Sequence, residues 1–432
     1  MLRARSLVRV VLALPLALAA TSSAPAAQDV VPLVLVGDEV FGGATVTAIR
    51  SAHVEYFDNW AAVVTTEGPG GPSTAILRDG FVYKQLGSPM SFPAGATIGA
   101  FDSVSTDLFG NMLWNTRLQG TPGGADDDAA VYLHNHIWFQ EGPADIPFSA
   151  LQLPAGSRWL SFDDARMAPA GGHFLLRGRH DDPTLGGPSE SFLVRGIAVG
   201  APFVLGDVHR LVAAGQQAPG LGVRLEDVRL EPAAAAVSPD GRWGMWAADL
   251  RGPEDRDGVV YRYNGNADLH VVMARERQPS PVDGLPWGPL ENVAVNVASS
   301  GQWTLRATVR DGAVELPVLV HHFQELARAG APAPGLAPAV YAHFGRGAAR
   351  LDDLGHVVWY ARVQEGGVGR DVLYVDGEPV VEAGVTRLGG RTVIAISSAG
   401  DSLSLGPSNG LLAFVATLEG GVEGLFLMDL DG

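Results

Sequence analysis

The chain contains no cysteine among its 432 residues. This absence excludes a disulfide framework, a thiolate metal site, a cysteine nucleophile and a lipid anchor attached to cysteine. Basic residues are also few, since 47 aspartates and glutamates face 30 lysines and arginines and give a formal net charge of −17. An anionic surface repels phosphate backbones, so nucleic-acid binding is not expected.

Long apolar runs are scarce as well, and the one at the N-terminus has the pattern of an export signal. Arg3, Arg5 and Arg9 precede the apolar run 10–20, and small residues follow up to Ala27. This run is shorter than the ~20 residues that a membrane-spanning helix needs. The pattern predicts a signal peptide over residues 1–27 and a mature chain over residues 28–432. We expect an exported protein, periplasmic or extracellular, without a membrane span.

One pattern recurs through the mature chain: a turn, usually with glycine, followed by apolar residues two and four positions later. It occurs at seven places, which begin at Asn59, Gly110, Gly172, Gly241, Gly301, Gly355 and Gly410. Between these turns the residues alternate between apolar and polar at period two, which is typical of β-strands. The sequence therefore predicts seven repeated units of about four short strands each.

The two ends of the chain predict how these units are arranged. The last unit is one strand short, whereas a surplus strand, residues 32–36, precedes the first unit. A strand missing at one end and spare at the other is what a closed ring requires. We predict an all-β fold, a single-domain seven-bladed β-propeller whose last blade is completed by the N-terminal strand. The predicted blades are residues 44–97, 98–158, 159–224, 225–288, 289–341, 342–391, and 392–432 together with 30–40.

Two turn motifs carry a family resemblance. Asp107-x-x-Gly110-x-x-x-Trp114 and Asp352-x-x-Gly355-x-x-x-Trp359 resemble the tandem NxxGxxxF repeats of secreted bacterial proteins, a largely uncharacterised group, with Asp in place of Asn. The turn from Ser238 to Gly241 resembles the signature of propellers similar to the periplasmic TolB protein. The resemblance implies an exported propeller and no particular activity.

A column of acidic residues at the start of the first strands is the main candidate site. Aligning the units places Asp102, Asp163, Glu226 and Glu291 in one arc, with Arg346 opposite. Carboxylate oxygens suit Ca²⁺, so the four carboxylates form a candidate metal site and, with Arg346, a candidate ligand site. The alternative is that each carboxylate accepts hydrogen bonds from backbone N–H groups where its strand begins.

Two further groups are weaker candidates. His134 and His136 alternate along a predicted strand and could share a metal ion. Four tryptophans nearer to loops could stack on sugars: Trp60, Trp138, Trp159 and Trp287. Packing is the alternative for both groups.

These observations predict a non-catalytic binding or interaction module that presents its ligand site on a propeller face. The alternative is a polysaccharide-active enzyme, a hydrolase or lyase, that uses the channel-mouth carboxylates as acid and base. We expect a monomer whose partner is a glycan or an envelope protein. No cofactor is required, and Ca²⁺ is the one ion that the sequence suggests.

Overall fold

The computed structural model describes residues 30–40, 42–54, 59–143, 153, 156–181, 183–184, 190–199 and 204–431. The predicted signal peptide, residues 1–27, lies outside this part of the chain.

The described residues form seven antiparallel sheets that follow one another along the chain. The first strand is β1, Val30–Leu35. Blade 1 comprises β2 Glu39–Val40, β3 Ala44–Val54, β4 Trp60–Gly68, β5 Gly71–Arg78 and β6 Phe81–Gln85. Blade 2 comprises β7 Thr97–Thr106, β8 Met112–Gln119, β9 Ala129–Leu133 and β10 His136–Gln140. Blade 3 comprises β11 Gly142–Pro143, β12 Arg158–Met167, β13 His173–Asp181, β14 Glu190–Val199 and β15 Val204–Ala213.

The remaining blades repeat this order. Blade 4 comprises β16 Leu225–Val228, β17 Ala235–Val237, β18 Trp243–Leu250, β19 Gly258–Asn264 and β20 Leu269–Arg275. Blade 5 comprises β21 Ala294–Val297, β22 Trp303–Asp311, β23 Val314–His321 and β24 Gln324–Arg328. Blade 6 comprises β25 Val340–Phe344, β26 Arg350–Leu351, β27 Val357–Glu365, β28 Val368–Val375 and β29 Glu378–Glu382. Blade 7 comprises β30 Arg387–Leu388, β31 Arg391–Ile396, β32 Leu403–Leu405, β33 Leu411–Leu418 and β34 Val422–Asp429.

The ring is closed by the N-terminal strand. β1 pairs antiparallel with β34, with Val31 opposite Leu427 and Leu35 opposite Gly424. The predicted closure of the last blade by the N-terminal strand is confirmed. Its extent differs by a few residues, because β2 pairs with β3 in blade 1 and so belongs to that blade.

Packing between blades provides the core. The buried apolar residues form seven clusters, and each cluster joins two neighbouring blades. One of them joins blades 7 and 1 and contains Val34 of β1 together with Val46 and Leu425. Seven blades with seven interfaces form a closed ring, so the prediction of a seven-bladed β-propeller is confirmed.

The same aromatic contact joins the second and third strands in three blades. A tryptophan stacks on the tyrosine directly across the sheet in the pairs Trp114–Tyr132, Trp246–Tyr261 and Trp359–Tyr374. These rings are buried in the clusters between blades. These aromatic pairs therefore contribute to the packing between blades.

The inner strand is interrupted in blades 4, 6 and 7. In each of these blades two short strands pair with the same neighbouring strand, and a loop separates them. The sequence pattern predicts one strand over residues 225–237, whereas the structure has β16 and β17 separated by a 3-10 turn at Pro232–Ala234. Blade 7 has a similar turn at Gly400–Ser402. These loops lie at the axis of the ring and supply part of the site described below.

Candidate functional site

A cavity of about 140 Å³ lies on the axis of the ring, and we call it the channel cavity. Residues from all seven blades line it. Its charged and titratable side chains come from four blades: His53 from β3, Arg166 from β12, Arg350 from β26 and Asp401 from the 3-10 turn of blade 7. Asn296 of blade 5 also lines it.

A second cavity of about 180 Å³ adjoins the first, and we call it the side cavity. His53, Arg166 and Asp401 line both cavities. The side cavity adds two further carboxylates, Asp102 and Asp164. The two cavities differ in charge balance: the side cavity is lined by three carboxylates and two guanidinium groups, those of Arg50 and Arg166, whereas the channel cavity is lined by one carboxylate and two guanidinium groups.

A buried ion-pair network holds Arg166 in place. Arg166 Nε donates to Asp164 Oδ2 at 2.9 Å, and its Nη2 contacts Asp401 Oδ1 at 3.4 Å. Asp164 also accepts from Arg177, which is almost fully buried. Arg177 in turn donates to the carbonyl oxygens of Arg229, Glu231 and Pro232 in blade 4. This network fixes the position of Arg166 and joins blades 3 and 4 at the axis.

Arg350 is anchored without an ion pair. Its Nε donates to the carbonyl of Leu403 at 3.0 Å, and its Nη2 donates to the carbonyl of Gly400 at 2.5 Å. No carboxylate of the described residues lies within ion-pair distance of its guanidinium. Burial lowers the pKa of Arg350 to about 10, and the nearby charge of Arg166 acts in the same direction. Arg350 therefore remains protonated at pH 7.

His53 and Asp401 take opposite charge states at neutral pH. Burial lowers the pKa of His53 to about 4. The negative charge of Asp401 raises this pKa, but the positive charges of Arg166 and Arg350 lower it and so offset part of that effect. The imidazole is therefore neutral at pH 7, and it makes no hydrogen bond to any described residue. Burial alone would raise the pKa of Asp401, but Arg166 and Arg350 hold it below its usual value. Asp401 is ionised and exposes 38% of its side chain to the cavities.

Asp102 and Asp163, predicted from the sequence, occupy equivalent positions. Each is the extra residue of a β-bulge, since the register shifts between Phe101 and Ser103 in blade 2 and between Phe162 and Asp164 in blade 3. Asp102 lines the side cavity. Burial raises the pKa of Asp102, and the charge of Asp163 adds to this effect. The two carboxylates thus lie close enough to influence each other.

Glu226 and Glu291 lie elsewhere. Glu226 also lies at a bulge, but it lines a separate acidic cavity of about 570 Å³ with Asp249 and Asp257. Glu291 is exposed, and its carbonyl accepts a hydrogen bond from Arg229. Neither carboxylate lines the channel cavity or the side cavity.

Arg346, predicted to oppose the acidic arc, is exposed on the loop that precedes β26. Its backbone carbonyl accepts from Arg306 at 3.3 Å, and its N–H donates to the carbonyl of Ser398 at 2.8 Å. The structure places Arg350, four residues later, in the channel cavity instead.

Two weaker predictions do not agree with the structure. His134 lies in a hairpin turn and bonds Asn111 at 2.9 Å, whereas the exposed His136 begins β10, so they do not project from one strand as a pair. The four tryptophans proposed for sugar stacking are buried. Across the described residues, no three His, Asp or Glu side chains form a group that could hold a metal ion. Ca²⁺ binding by the predicted carboxylates stays a prediction.

Sequence reasoning missed His53, Arg166, Arg350 and Asp401. They lie on three inner strands, β3, β12 and β26, and on the 3-10 turn of blade 7, and their local sequences share no motif. Asp164 could have been identified from the sequence, because it is adjacent to the predicted Asp163. The bulge between Phe162 and Asp164 buries the second of the two aspartates against Arg177 and leaves the first partly exposed.

No protein-family model matches the chain, and no curated protein matches it in sequence. Within the described residues no helix is long and apolar enough to cross a membrane. The β-propeller domain of the Trilobed protease from Pyrococcus furiosus is similar, with a TM-score of 0.46 and 8% identity over 89% of this chain and 96% of that one.

Two other solved structures are similar at a comparable level. The Dos1 propeller has a TM-score of 0.39 and 7% identity, over 91% of this chain and 80% of its own. The polysaccharide lyase Uly1 has a TM-score of 0.44 and 11% identity, over 89% of this chain and 90% of its own. These values transfer neither an activity nor a ligand to this chain.

Proposed function

We propose that this protein is an exported, non-catalytic binding module that holds a small polar ligand in the channel cavity. The observation that carries this proposal is the convergence of polar side chains from different blades whose bonding capacity the protein does not use. Among the described residues, His53 has no hydrogen-bond partner and Arg350 has no carboxylate partner. Burying such groups is costly unless a ligand or solvent satisfies them. Clefts with a few convergent polar groups are typical binding sites.

The charge states of the lining residues favour binding over acid–base catalysis. An efficient general acid or base has a pKa near the operating pH. In the channel cavity His53 titrates near pH 4, and Asp401 is held below its usual value. Neither group would exchange a proton readily at neutral pH. Both are instead fixed in one charge state, which suits recognition.

A steric block of the cavity tests the proposal. Ala233 lines the channel cavity, and Ala233→Phe would fill it without a change of charge. The matched control is Ala267→Phe on an exposed hairpin loop of blade 4. The mature protein and both variants would be screened by thermal shift against sugars, amino acids, organic acids and cell-envelope fractions. We expect stabilising ligands that Ala233→Phe loses and Ala267→Phe keeps. Ligands that Ala233→Phe binds normally would place the site outside the channel.

One observation favours an enzyme acting on polysaccharide as the second candidate. Asp102 and Asp401 line the same side cavity, and their pKa values are shifted in opposite directions. Such a pair can divide the roles of acid and base. The test is cleavage of a panel of polysaccharides, followed by reducing ends and by absorbance of unsaturated products. Cleavage that Asp102→Asn abolishes would support the enzyme; no cleavage of any polysaccharide would leave the binding module as the better account.

A further inference from the structure

The charge balance of the channel cavity differs from that of the whole molecule. The chain has a formal net charge of −17. Two guanidinium groups and one carboxylate line the channel cavity, while His53 is neutral there. Arg166 already contacts two carboxylates, Asp164 and Asp401. The uncompensated positive charge of this cavity is therefore that of Arg350.

The hydrogen-bond donors of the cavity are arranged in a way that suits an anion. The carbonyls of Leu403 and Gly400 fix the guanidinium of Arg350 through Nε and Nη2, and Nη1 has no acceptor among the described residues. The Oδ1 atom of Asn296 accepts from the N–H of Leu351 at 3.2 Å, and no described residue accepts a hydrogen bond from its Nδ2 amino group. The neutral imidazole of His53 carries one further N–H donor. Donors thus predominate among the groups that the protein leaves unpaired.

The volume of the cavity limits the size of the bound group. A single water molecule needs ~10–15 Å³ measured in this way, so about 140 Å³ holds several waters or one small group of heavy atoms. Drug-sized ligands occupy clefts of roughly 300–1,000 Å³. The channel cavity suits a small ion or the charged end of a larger ligand.

We propose that the ligand of the channel cavity carries an oxyanion, a carboxylate or phosphate group, that binds Arg350 and accepts hydrogen bonds from His53 and Asn296. This inference rests on the proposed binding function and names the chemical class of its ligand. A guanidinium with a fixed orientation is well suited to a planar carboxylate or to phosphate, since both accept charge-assisted hydrogen bonds.

The test compares ions with neutral analogues of similar shape. Acetate, glycolate and inorganic phosphate would be titrated into the mature protein by calorimetry and by thermal unfolding, with acetamide and glycolamide as uncharged probes. We expect saturable binding of at least one anion, and at least tenfold weaker binding of acetamide and glycolamide. The acetate, glycolate and phosphate titrations also show whether a carboxylate or a phosphate is preferred.

Variants assign the binding to the proposed residues. Arg350→Gln should weaken anion binding at least tenfold, and His53→Ala should weaken it several-fold without loss of a protein hydrogen bond. Arg256→Gln, on an exposed loop, removes the same charge and should bind as the parent does. If Arg350→Gln is too unstable to assay, anion binding is measured with His53→Ala and Arg350→Lys instead, and both should bind the anion more weakly than the parent does.

The outcomes separate this inference from the proposed function. One outcome is that neutral ligands bind, that Ala233→Phe blocks them, and that no anion binds or competes. The proposed binding function would then stand, and the proposal that the ligand carries an oxyanion would be wrong. Anion binding that Arg350→Gln and His53→Ala leave unchanged would also overturn the assignment. If no probe binds and the envelope screen is equally negative for the parent and Ala233→Phe, both proposals fail together.

Discussion

The carboxylate of Asp352 organises one of the repeated turns. Its Oδ1 atom accepts hydrogen bonds from the N–H groups of Leu354, Gly355 and His356 at 2.7–3.0 Å. Asp107 uses its carboxylate in the same way in blade 2. Burial raises the pKa of Asp352, because the side chain is almost inaccessible to solvent. Its Oδ2 atom has no hydrogen-bond partner among the described residues. The turn therefore needs an acceptor at this position rather than a charge.

This distinction predicts different effects for two substitutions at position 352. Asp352→Asn keeps the acceptor and removes a buried charge, so we expect stability at pH 7 within about 0.5 kcal/mol of the parent or above it. Asp352→Ala leaves three N–H groups without an acceptor and should cost about 1–3 kcal/mol. Urea unfolding of the parent and both variants provides the measurement. Equal losses for the two variants would show that the charge itself holds the turn.

His356 lies beside this turn and joins blade 6 to the end of blade 7. Its Nδ1 atom is 2.9 Å from Asp376 Oδ2, and its Nε2 atom is 3.2 Å from Asp431 Oδ1. Burial alone would lower its pKa, but hydrogen bonds to these carboxylates and the charge of Asp352 raise it above the usual value. Protonated His356 is therefore more stable in the folded protein than in the unfolded chain.

The direction of this pKa shift fixes the pH dependence. The stabilisation by His356 is fully present below the unfolded pKa near 6.5 and is lost as the pH rises through the higher folded pKa. We expect His356→Gln to lower stability at pH 5.5 by up to about 1 kcal/mol, since the carboxylates are partly exposed. The deficit should shrink as the pH approaches 9. Unfolding of parent and variant at both pH values checks this; a deficit that grows with pH would contradict the raised pKa.

At the scale of elements, β1 determines whether the ring is closed. It covers the edge of β34, and its Val34 is buried in the cluster between blades 7 and 1. Deleting residues 30–36 would expose both the strand edge and this apolar cluster. We expect the shortened protein to unfold several degrees lower than the parent and to self-associate. Thermal unfolding and light scattering measure the two effects.

A peptide that spans residues 28–38 should restore the midpoint of the shortened protein, because a free edge accepts an added strand. The same peptide with Val34→Asp is the control, since a charge at this position cannot be buried in the cluster. The parent protein should not bind either peptide. An unchanged midpoint after the deletion would show that β1 contributes little to closure.

The elements also show why the fold was predictable and the site only in part. The turn glycines and the period-two alternation repeat seven times, and the surplus N-terminal strand revealed the closure. The inner strands were harder to predict, because bulges shift a strand by one residue and reverse which side chains face the axis. The repeat pattern therefore predicts Asp163 as the site residue, whereas Asp164 is the residue buried against Arg177. Arg350 and Asp401 adjoin inserted loops whose positions no repeat specifies.

At the scale of the whole molecule, the ring brings together residues that are distant in sequence. His53 and Asp401 are separated by almost the entire described chain, yet both line the channel cavity because blades 7 and 1 are neighbours. The inserted loops of blades 4, 6 and 7 narrow the axis, and the buried Arg177 fixes one side of it. The result is a small cationic cavity inside an acidic protein.

This contrast predicts that a charge within the channel cavity changes the affinity for an anion far more than the same charge on the outer surface does. Asp401 is the one carboxylate among the described residues that line the channel cavity, and Arg350 is anchored by carbonyl groups rather than by Asp401. Asp401→Asn should therefore tighten the binding of acetate or phosphate about tenfold, or ~1.4 kcal/mol. Nearby charges inside a protein interact strongly, whereas exposed charges beyond about 10 Å are screened by salt.

Asp255→Asn is the matched control, because it removes the same charge from an exposed loop of blade 4. Calorimetric titration at 0.15 M ionic strength should give the parent affinity for this variant and the tighter affinity for Asp401→Asn. Equal changes in both variants would mean that the overall charge of the protein governs binding. Weaker binding by Asp401→Asn alone would mean that Asp401 contributes to the site by positioning Arg166 through their 3.4 Å contact, rather than by repelling the ligand.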